Sequence, residues 1–306
     1  MLGGLPFMTY YDYGLRFKYL RKQRNISLKT AAQVINTSRQ GLGNWENGKG
    51  NLGFEEVIQL LKYLEINPTE FIDSSLKFYD LTSDIKFAYI DNDTEYLKAY
   101  ATNTLIRAHN HLTDKDLFLK GIIACNFYYE LTQKDISSKQ DKDRLRSFFS
   151  NIDSGDRNWT MKDVYVFGNT QHMMSSSEIY SLSYSLIFDG LKHEYESKEW
   201  KVAIISSLLN ANFILINTDL KKAESLYKLF DRNKDKFSDL YANEKIRLAF
   251  IRGFITYSKD PNKQNRRKIE ELLESLKLFN LFDLEEGLRF TLGQIDNHLG
   301  LYDYHS

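Results

Sequence analysis

The sequence predicts an all-α protein in which a small basic helical domain precedes a longer array of helices. Proline and glycine are few, 3 and 16 among 306 residues, and the abundant leucine, lysine and glutamate favour helix over sheet. Apolar residues recur at intervals of three and four along most of the chain. From Lys198 onward the predicted helix pairs recur about every 40 residues, a period that indicates stacked helical hairpins.

Charge is distributed unevenly, although the whole chain is neutral. Between Gly14 and Leu52 there are eight lysines and arginines and one acid, Glu46, so this stretch carries +7 and the remainder carries −7. A basic segment on an acidic body is the charge distribution expected of a nucleic-acid-binding domain. We therefore expect one domain at residues 8–72 and a second at residues 73–306.

The first two helices are predicted from their apolar spacing. Leu15, Tyr19 and Leu20 form the expected inward stripe of the first helix, and the basic residues from Arg16 to Arg24 form its polar face. The second helix lies in NISLKTAAQVI, where a serine caps the start and two alanines allow close helix approach.

Three further helices complete the N-terminal domain. In SRQGLGNWENG, Ser38 caps the start, Leu42 and Trp45 point to the core, and Gly48 ends the helix. FEEVIQLLKYLEI forms a fourth helix, and NPTEFI a short fifth with proline in its first turn. Two short helices joined by a tight turn within a basic bundle are the helix-turn-helix pattern.

These residues resemble the phage-repressor (Cro/C1, or XRE) type of helix-turn-helix, a lambda-repressor-like domain. The resemblance rests on the arginine-rich first helix, the paired alanines, Ser38 and the Trp45-Glu46-x-Gly48 ending. It implies that the third helix enters the major groove of double-stranded DNA with its N-terminal end first.

The resemblance also assigns site residues in this domain. Arginine donates two hydrogen bonds to guanine and glutamine pairs with adenine, whereas phosphate contacts position a protein without reading sequence. The base-reading positions are Arg39, Gln40 and Asn44, the expected phosphate contacts are Arg16, Ser38 and Lys49, and the expected internal ion pair is Arg21 with Glu46.

Gly41 and Gly43 are unfavourable in the third helix, since each glycine lowers helix stability by about 1 kcal/mol relative to alanine. Either the backbone comes close to DNA or to a partner helix at these positions, or the helix is loose until it binds.

The remaining sequence predicts helix after helix. AESLYKLF, at residues 223–230, resembles the second helix of a tetratricopeptide repeat (TPR), and a TPR-like array presents a concave face suited to extended peptides. Helices are expected to begin near Leu76, Thr94, Thr113, Lys139, Trp159, Ser175, Lys198, Asp219, Phe237, Asn262 and Asn280.

The segment WTMKDVYVFGNTQHMM, behind a phage-type head and within a helical-repeat body, resembles the Rgg/MutR family of Gram-positive regulators. That resemblance implies a homodimer with two DNA-binding domains, controlled by a short hydrophobic peptide pheromone. A peptide groove needs amides for the peptide backbone and a cation for its carboxylate. The candidates are Asn169, Asn210, Asn212, Arg247 and Arg252, of which Asn169, Asn212 and Arg252 rank first, and the more common alternative for each is a satisfied structural side chain or a solvated face.

No pattern indicates an enzyme, a cofactor or a metal site. His109 and His111 have no acidic or cysteine partner at ligand spacing, and the single cysteine, Cys125, lies in an apolar run typical of a core residue. Neither a signal peptide nor a membrane span is expected, which favours a cytoplasmic protein. Two alternatives stay open: a ligand-independent repressor, and a protein-interaction adaptor that uses the helical repeats for docking and oligomerisation.

Overall fold

The computed structural model describes residues 13–72, 81–190, 197–233 and 242–301. These residues form sixteen α-helices and one 3-10 helix, with no strand among them, so the predicted all-α class is confirmed. The chain divides into two compact units, residues 1–80 and residues 81–306, which are called the N-terminal and C-terminal units below.

Five helices form the N-terminal unit around one apolar core. Ser27 and Ser38 cap the second and third helices, accepting from the backbone amides of Thr30 and Gly41 at 3.0 and 2.9 Å. The helices are α1 (Tyr13–Gln23), α2 (Leu28–Val34), α3 (Arg39–Trp45), α4 (Phe54–Tyr63) and α5 (Pro68–Phe71). Their core contains Phe17, Leu20, Ala31, Ala32, Ile35, Leu42, Trp45, Leu60, Leu61, Leu64, Ile66 and Phe71.

The predicted apolar stripe of α1 is wrong for two of its three residues. Leu15 and Tyr19 are 48% and 54% exposed, whereas Leu20 is buried together with Phe17. The buried face of α1 is therefore rotated relative to the predicted one, and it includes Gly14. A Cβ built on Gly14 would lie 1.9 Å from the Trp45 carbonyl oxygen, so the start of α1 rests directly on the backbone at the end of α3.

The C-terminal unit consists of helices joined by short turns. Most begin within a few residues of the predicted starts, while the starts near Leu76 and Phe237 lie outside the described residues. The helices are α6 (Lys86–Ile90), α7 (Thr94–Asn110), α8 (Lys115–Thr132), α9 (Lys139–Asp153), α10 (Met161–Gly168), α11 (Ser176–Gly190), α12 (Lys198–Thr218), α13 (Leu220–Asp231), α14 (Ala242–Lys259), α15 (Lys263–Leu278) and α16 (Phe282–His298), with the 3-10 helix Gln171–Met173 after α10.

The helices of this unit from α8 to α16 lie in two layers. In the inner layer, α12 packs against α10 and α14, and α14 packs against α16. In the outer layer, α11 packs against both α9 and α13. Among the described helices, α12 alone is long and apolar enough to cross a membrane by length and composition, but its apolar side chains fill the core between the layers.

We expect Gly14→Ala to destabilise the N-terminal unit by about 1–3 kcal/mol, because the new methyl group would overlap the Trp45 carbonyl. The measurement is hydrogen exchange of the α1 and α3 amides in the full chain. Gly50→Ala is the control, since a Cβ at Gly50 would meet the Asn44 Cβ at 3.7 Å, an ordinary contact. Equal protection in the two variants would contradict the close approach.

Candidate functional site

The first turn of α3 presents a polar surface. Arg39, Gln40 and Asn44 are all exposed, and the buried side of the helix is formed by Leu42 and Trp45. Because the three polar side chains contribute nothing to the core, they are free to contact a ligand. The structure therefore brings the three predicted base-reading residues onto one accessible helix.

A buried ion pair holds the end of α3. Arg21 Nε donates to Glu46 Oε1 at 2.7 Å and Arg21 Nη2 donates to Oε2 at 2.8 Å, so the pair is bidentate. The third guanidinium nitrogen, Nη1, donates to the Ile26 carbonyl at 2.6 Å. Gly48 adopts φ 71° beyond the helix and donates to the Trp45 carbonyl, which ends α3 at the predicted glycine.

The predicted phosphate contacts differ in availability. Lys49 is exposed in the turn after α3, and Ser38 is exposed although its hydroxyl oxygen already caps α3. Arg16 is half-buried and donates from Nε to the Glu70 carbonyl at 2.9 Å, which commits part of its guanidinium to the end of α5. Lys18 donates to Asn47 Oδ1 at 2.7 Å and so supports the turn that carries Lys49.

The two glycines of α3 serve packing. A Cβ on Gly43 would approach Leu28 Cδ2 to 3.3 Å, so this glycine lets α3 lie close to the start of α2. A Cβ on Gly41 would lie 3.0 Å from Thr37 Oγ1 and 3.2 Å from the capping Ser38 hydroxyl. The sequence left open whether these glycines reflect a close neighbouring helix, close DNA or a loose helix. For Gly43, the close neighbouring helix is α2.

A polar and aromatic cluster lies between α12 and α14, on the face of α12 that turns away from α13; we call it the inner-face cluster. Arg247 Nη2 donates to Asn210 Oδ1 at 2.6 Å, and its guanidinium lies 5.5 Å from the centre of the Phe213 ring. Burial lowers the pKa of the Arg247 guanidinium, and the nearby Glu244 carboxylate acts in the opposite direction. Within the described chain, no carboxylate pairs with Arg247.

Two unpaired polar atoms lie along the same helix stripes. Asn217 is two turns beyond Asn210 on α12, and its buried Oδ1 accepts no hydrogen bond within the described part of the chain. Ser258 is three turns beyond Arg247 on α14, and its buried Oγ is likewise unsatisfied there. Asn210, Phe213 and Asn217 share this stripe by their helical spacing, so of the two candidate amides on α12 it is Asn210 that lies on the stripe, whereas Asn212 was ranked higher from the sequence.

Asn212 is placed differently from the expected groove-lining amide. It is 2% exposed, and in the orientation that satisfies its amide it donates to the Ala223 carbonyl and accepts from the Tyr227 amide, each at 3.2 Å. It therefore joins α12 to α13 inside the core. Asn169 is half-buried at the end of α10 and donates to the Tyr165 carbonyl at 2.7 Å, which closes its own helix.

Arg252 does not join Arg247. It is exposed on another side of α14 and lines a cleft of about 850 Å³ between α13 and α15, which we call the outer groove. The two arginines predicted for one peptide site thus belong to two separate surfaces of the same helix.

The histidine and cysteine candidates have structural surroundings. His109 Nε2 lies 2.8 Å from Asp141 Oδ1, and Asp141 also caps α9 with Ser138. Burial raises the pKa of the Cys125 thiol to about 12, so the reactive thiolate is disfavoured at neutral pH. No group of three or more metal-ligating side chains occurs among the residues that the structure describes.

Two protein-family models match the chain. Residues 17–71 match the helix-turn-helix model, and residues 107–286 match the model described as "HTH-type transcriptional regulator Rgg, C-terminal domain". The second match alone covers more than half of the chain. A comparison with curated proteins gives no match.

Solved structures share the fold over nearly the whole chain. The Streptococcus dysgalactiae SHP pheromone receptor Rgg2 is 15% identical, with a TM-score of 0.68 covering 92% of this chain and 99% of that one. The PrgX/cCF10 complex is 15% identical, with a TM-score of 0.72 covering 94% and 93%. The PrgX/iCF10 complex is 15% identical, with a TM-score of 0.73 covering 96% and 99%.

Proposed function

Because this chain belongs to the Rgg family of HTH-type transcriptional regulators, we propose that it is a dimeric, operator-specific regulator controlled by a short peptide. The family consists of transcription regulators rather than enzymes. The proposal places the protein in the cytoplasm, where it meets double-stranded DNA and an internalised hydrophobic peptide.

The DNA-binding proposal depends on the exposed first turn of α3. Arg39 and Gln40 reach base edges in the major groove, where arginine recognises guanine and glutamine recognises adenine, and Asn44 adds a third contact. Lys49 and Ser38 contact phosphates, with a smaller contribution from Arg16 because its Nε is already bonded to Glu70. The buried Arg21–Glu46 pair keeps this surface in a fixed orientation.

The peptide proposal depends on the inner-face cluster. Arg247 is a desolvated cation without a carboxylate partner in the described chain, which is the environment that a peptide carboxylate would complete. Asn210 offers a hydrogen bond to a peptide backbone, and Phe213 offers an apolar contact. In this proposal, the surface is the peptide-binding face of the repeat array, on the side of α12 away from α13.

We expect Arg39→Ala to cost about 1–3 kcal/mol on the preferred DNA site and to relax specificity at one base pair. Lys49→Ala should weaken binding to all DNA sites equally. It should also reduce the slope of log affinity against log salt concentration by about the value of one phosphate contact. The site is first selected from random DNA, and each variant is then titrated at several salt concentrations. Arg267→Ala, a change on α15, serves as the control. Equal losses on selected and random DNA for Arg39→Ala would refute base reading.

We expect Arg247→Met to weaken binding of short apolar peptides with a free carboxyl terminus by tenfold or more, because methionine keeps the apolar stem and removes the cation. Titration calorimetry with the strongest binder from a synthetic peptide pool is the measurement. Arg252→Met, on the same helix but in the outer groove, is the matched control. Unchanged affinity in Arg247→Met, or an equal loss in Arg252→Met, would contradict the inner-face site.

Dimerisation is proposed through the turn between α15 and α16, where Leu278 and Phe279 are 83% and 71% exposed. Replacing both by serine should shift the protein from dimer to monomer in light scattering at micromolar concentration. Phe87→Ser with Leu112→Ser removes equally exposed apolar groups elsewhere in the unit, at 72% and 67%, and should leave the dimer intact. A persistent dimer in the first double variant would place the interface elsewhere.

A further inference from the structure

The outer groove is a second candidate binding site that the proposed function does not use. Its floor is α14, and its walls are α13 and α15. The outer helix α11 packs against both α9 and α13, whereas the described residues of α13 and α15 make few contacts with each other, and the cleft lies between these two helices. The volume of about 850 Å³ falls within the usual range for ligand pockets.

The floor and one wall of the groove are apolar. The accessible apolar groups are Ala249 of α14 and Leu272 of α15, which is 41% exposed, whereas Leu248 and Ile269 lie beneath them and belong to the buried core. A Cβ on Gly253 would lie 3.4 Å from Ile269 Cγ1, an ordinary contact, so α14 and α15 lie close together at the base of the groove. Such a surface suits short aliphatic side chains.

Cations predominate among the charged residues along the same groove. Lys245, Arg252 and Lys268 line it together with a single acid, Asp231. Lys245 and Asp231 have partners of their own, but Arg252 and Lys268 are exposed and form no side-chain hydrogen bond or ion pair with any residue that the structure describes. Two uncompensated cations beside an apolar floor are complementary to carboxylates that alternate with apolar groups.

The dimensions fit a short stretch of extended chain. From Leu248 to Thr256 the floor rises by 1.5 Å per residue, which gives about 12 Å. An extended peptide advances about 3.3 Å per residue, so the groove accommodates about four residues. Alternate side chains of such a strand point to opposite sides, which allows acidic and apolar groups to reach different walls.

From these features, we propose that the outer groove binds a short acidic–apolar peptide segment of a partner protein, with Arg252 and Lys268 holding its carboxylates and the exposed Ala249 and Leu272 contacting its aliphatic side chains. This site is independent of the inner-face cluster. It gives the C-terminal unit a docking surface for a second macromolecule alongside the proposed peptide signal.

Methyl NMR of the full-length protein tests the proposal with two synthetic pools of blocked hexapeptides. One pool alternates Asp or Glu with Leu, Ile or Phe, and the other replaces each acid with its amide. The acidic pool should shift the methyl signals of Leu248, Ile269 and Leu272, with an affinity at least tenfold higher than that of the amide pool. No shift, equal affinities, or the same shifts with glutarate alone would overturn the proposal.

Variants identify the residues responsible. Arg252→Gln with Lys268→Gln should weaken the acidic pool at least tenfold. The matched control is Arg267→Gln with Lys277→Gln, which removes the same charge from α15 at positions already paired with acids of their own helix. Equal weakening in both double variants would mean that only the overall positive charge matters, and it would overturn the site. Unchanged affinity in the Arg252→Gln with Lys268→Gln variant would also overturn it.

A third variant separates this inference from the proposed function. Arg247→Gln, which alters only the inner-face cluster, should leave the acidic-pool shifts unchanged. Loss of those shifts in Arg247→Gln would move the peptides to the inner face and overturn the outer-groove proposal. Failure of the inner-face prediction, by contrast, leaves the outer-groove shifts as they are.

Discussion

The buried ion pair between Arg21 and Glu46 is the constraint on which the N-terminal unit depends. Its two charges are removed from water, and leaving either one alone would cost about 3–5 kcal/mol. The pair is tolerated because the bidentate geometry and the Ile26 carbonyl satisfy the guanidinium. It joins α1 to the residue just after α3, next to the place where Gly14 meets Trp45. The C-terminal end of α3 is therefore fixed against α1, while the side chains at its N-terminal end are exposed.

Much of the N-terminal unit could be predicted from sequence, since its signals are local. Caps at Ser27 and Ser38 and the terminating Gly48 depend only on neighbouring backbone groups, and all three occur where the sequence indicated. The predicted buried face of α1 is wrong because a pattern of apolar side chains cannot show that a glycine is buried. Gly14 is buried through a backbone contact with a helix about 30 residues away, and no periodicity in α1 reports that.

In the C-terminal unit the sequence predicted the helices but not which of their faces meet. Asn212 and Asn210 differ by two positions, yet Asn212 is enclosed against α13 of the outer layer, whereas Asn210 is bonded to Arg247 of α14 in the inner layer. Arg247 and Arg252 separate for the same reason. A helix in a two-layer array has an inner and an outer side, and its rotation is fixed by neighbours that lie distant in sequence.

The closeness of α3 to α2 at Gly43 has an evolutionary consequence. Gly43 lies close to Leu28 of α2, and Leu42 and Trp45 supply the buried side of α3, so the exposed side chains that are proposed to select an operator carry none of the packing. Exposed substitutions of that kind usually change stability by less than about 0.5 kcal/mol. In the proposed base-reading role, substitutions at Arg39, Gln40 and Asn44 would therefore change the preferred promoter one codon at a time, without a compensating change in the core.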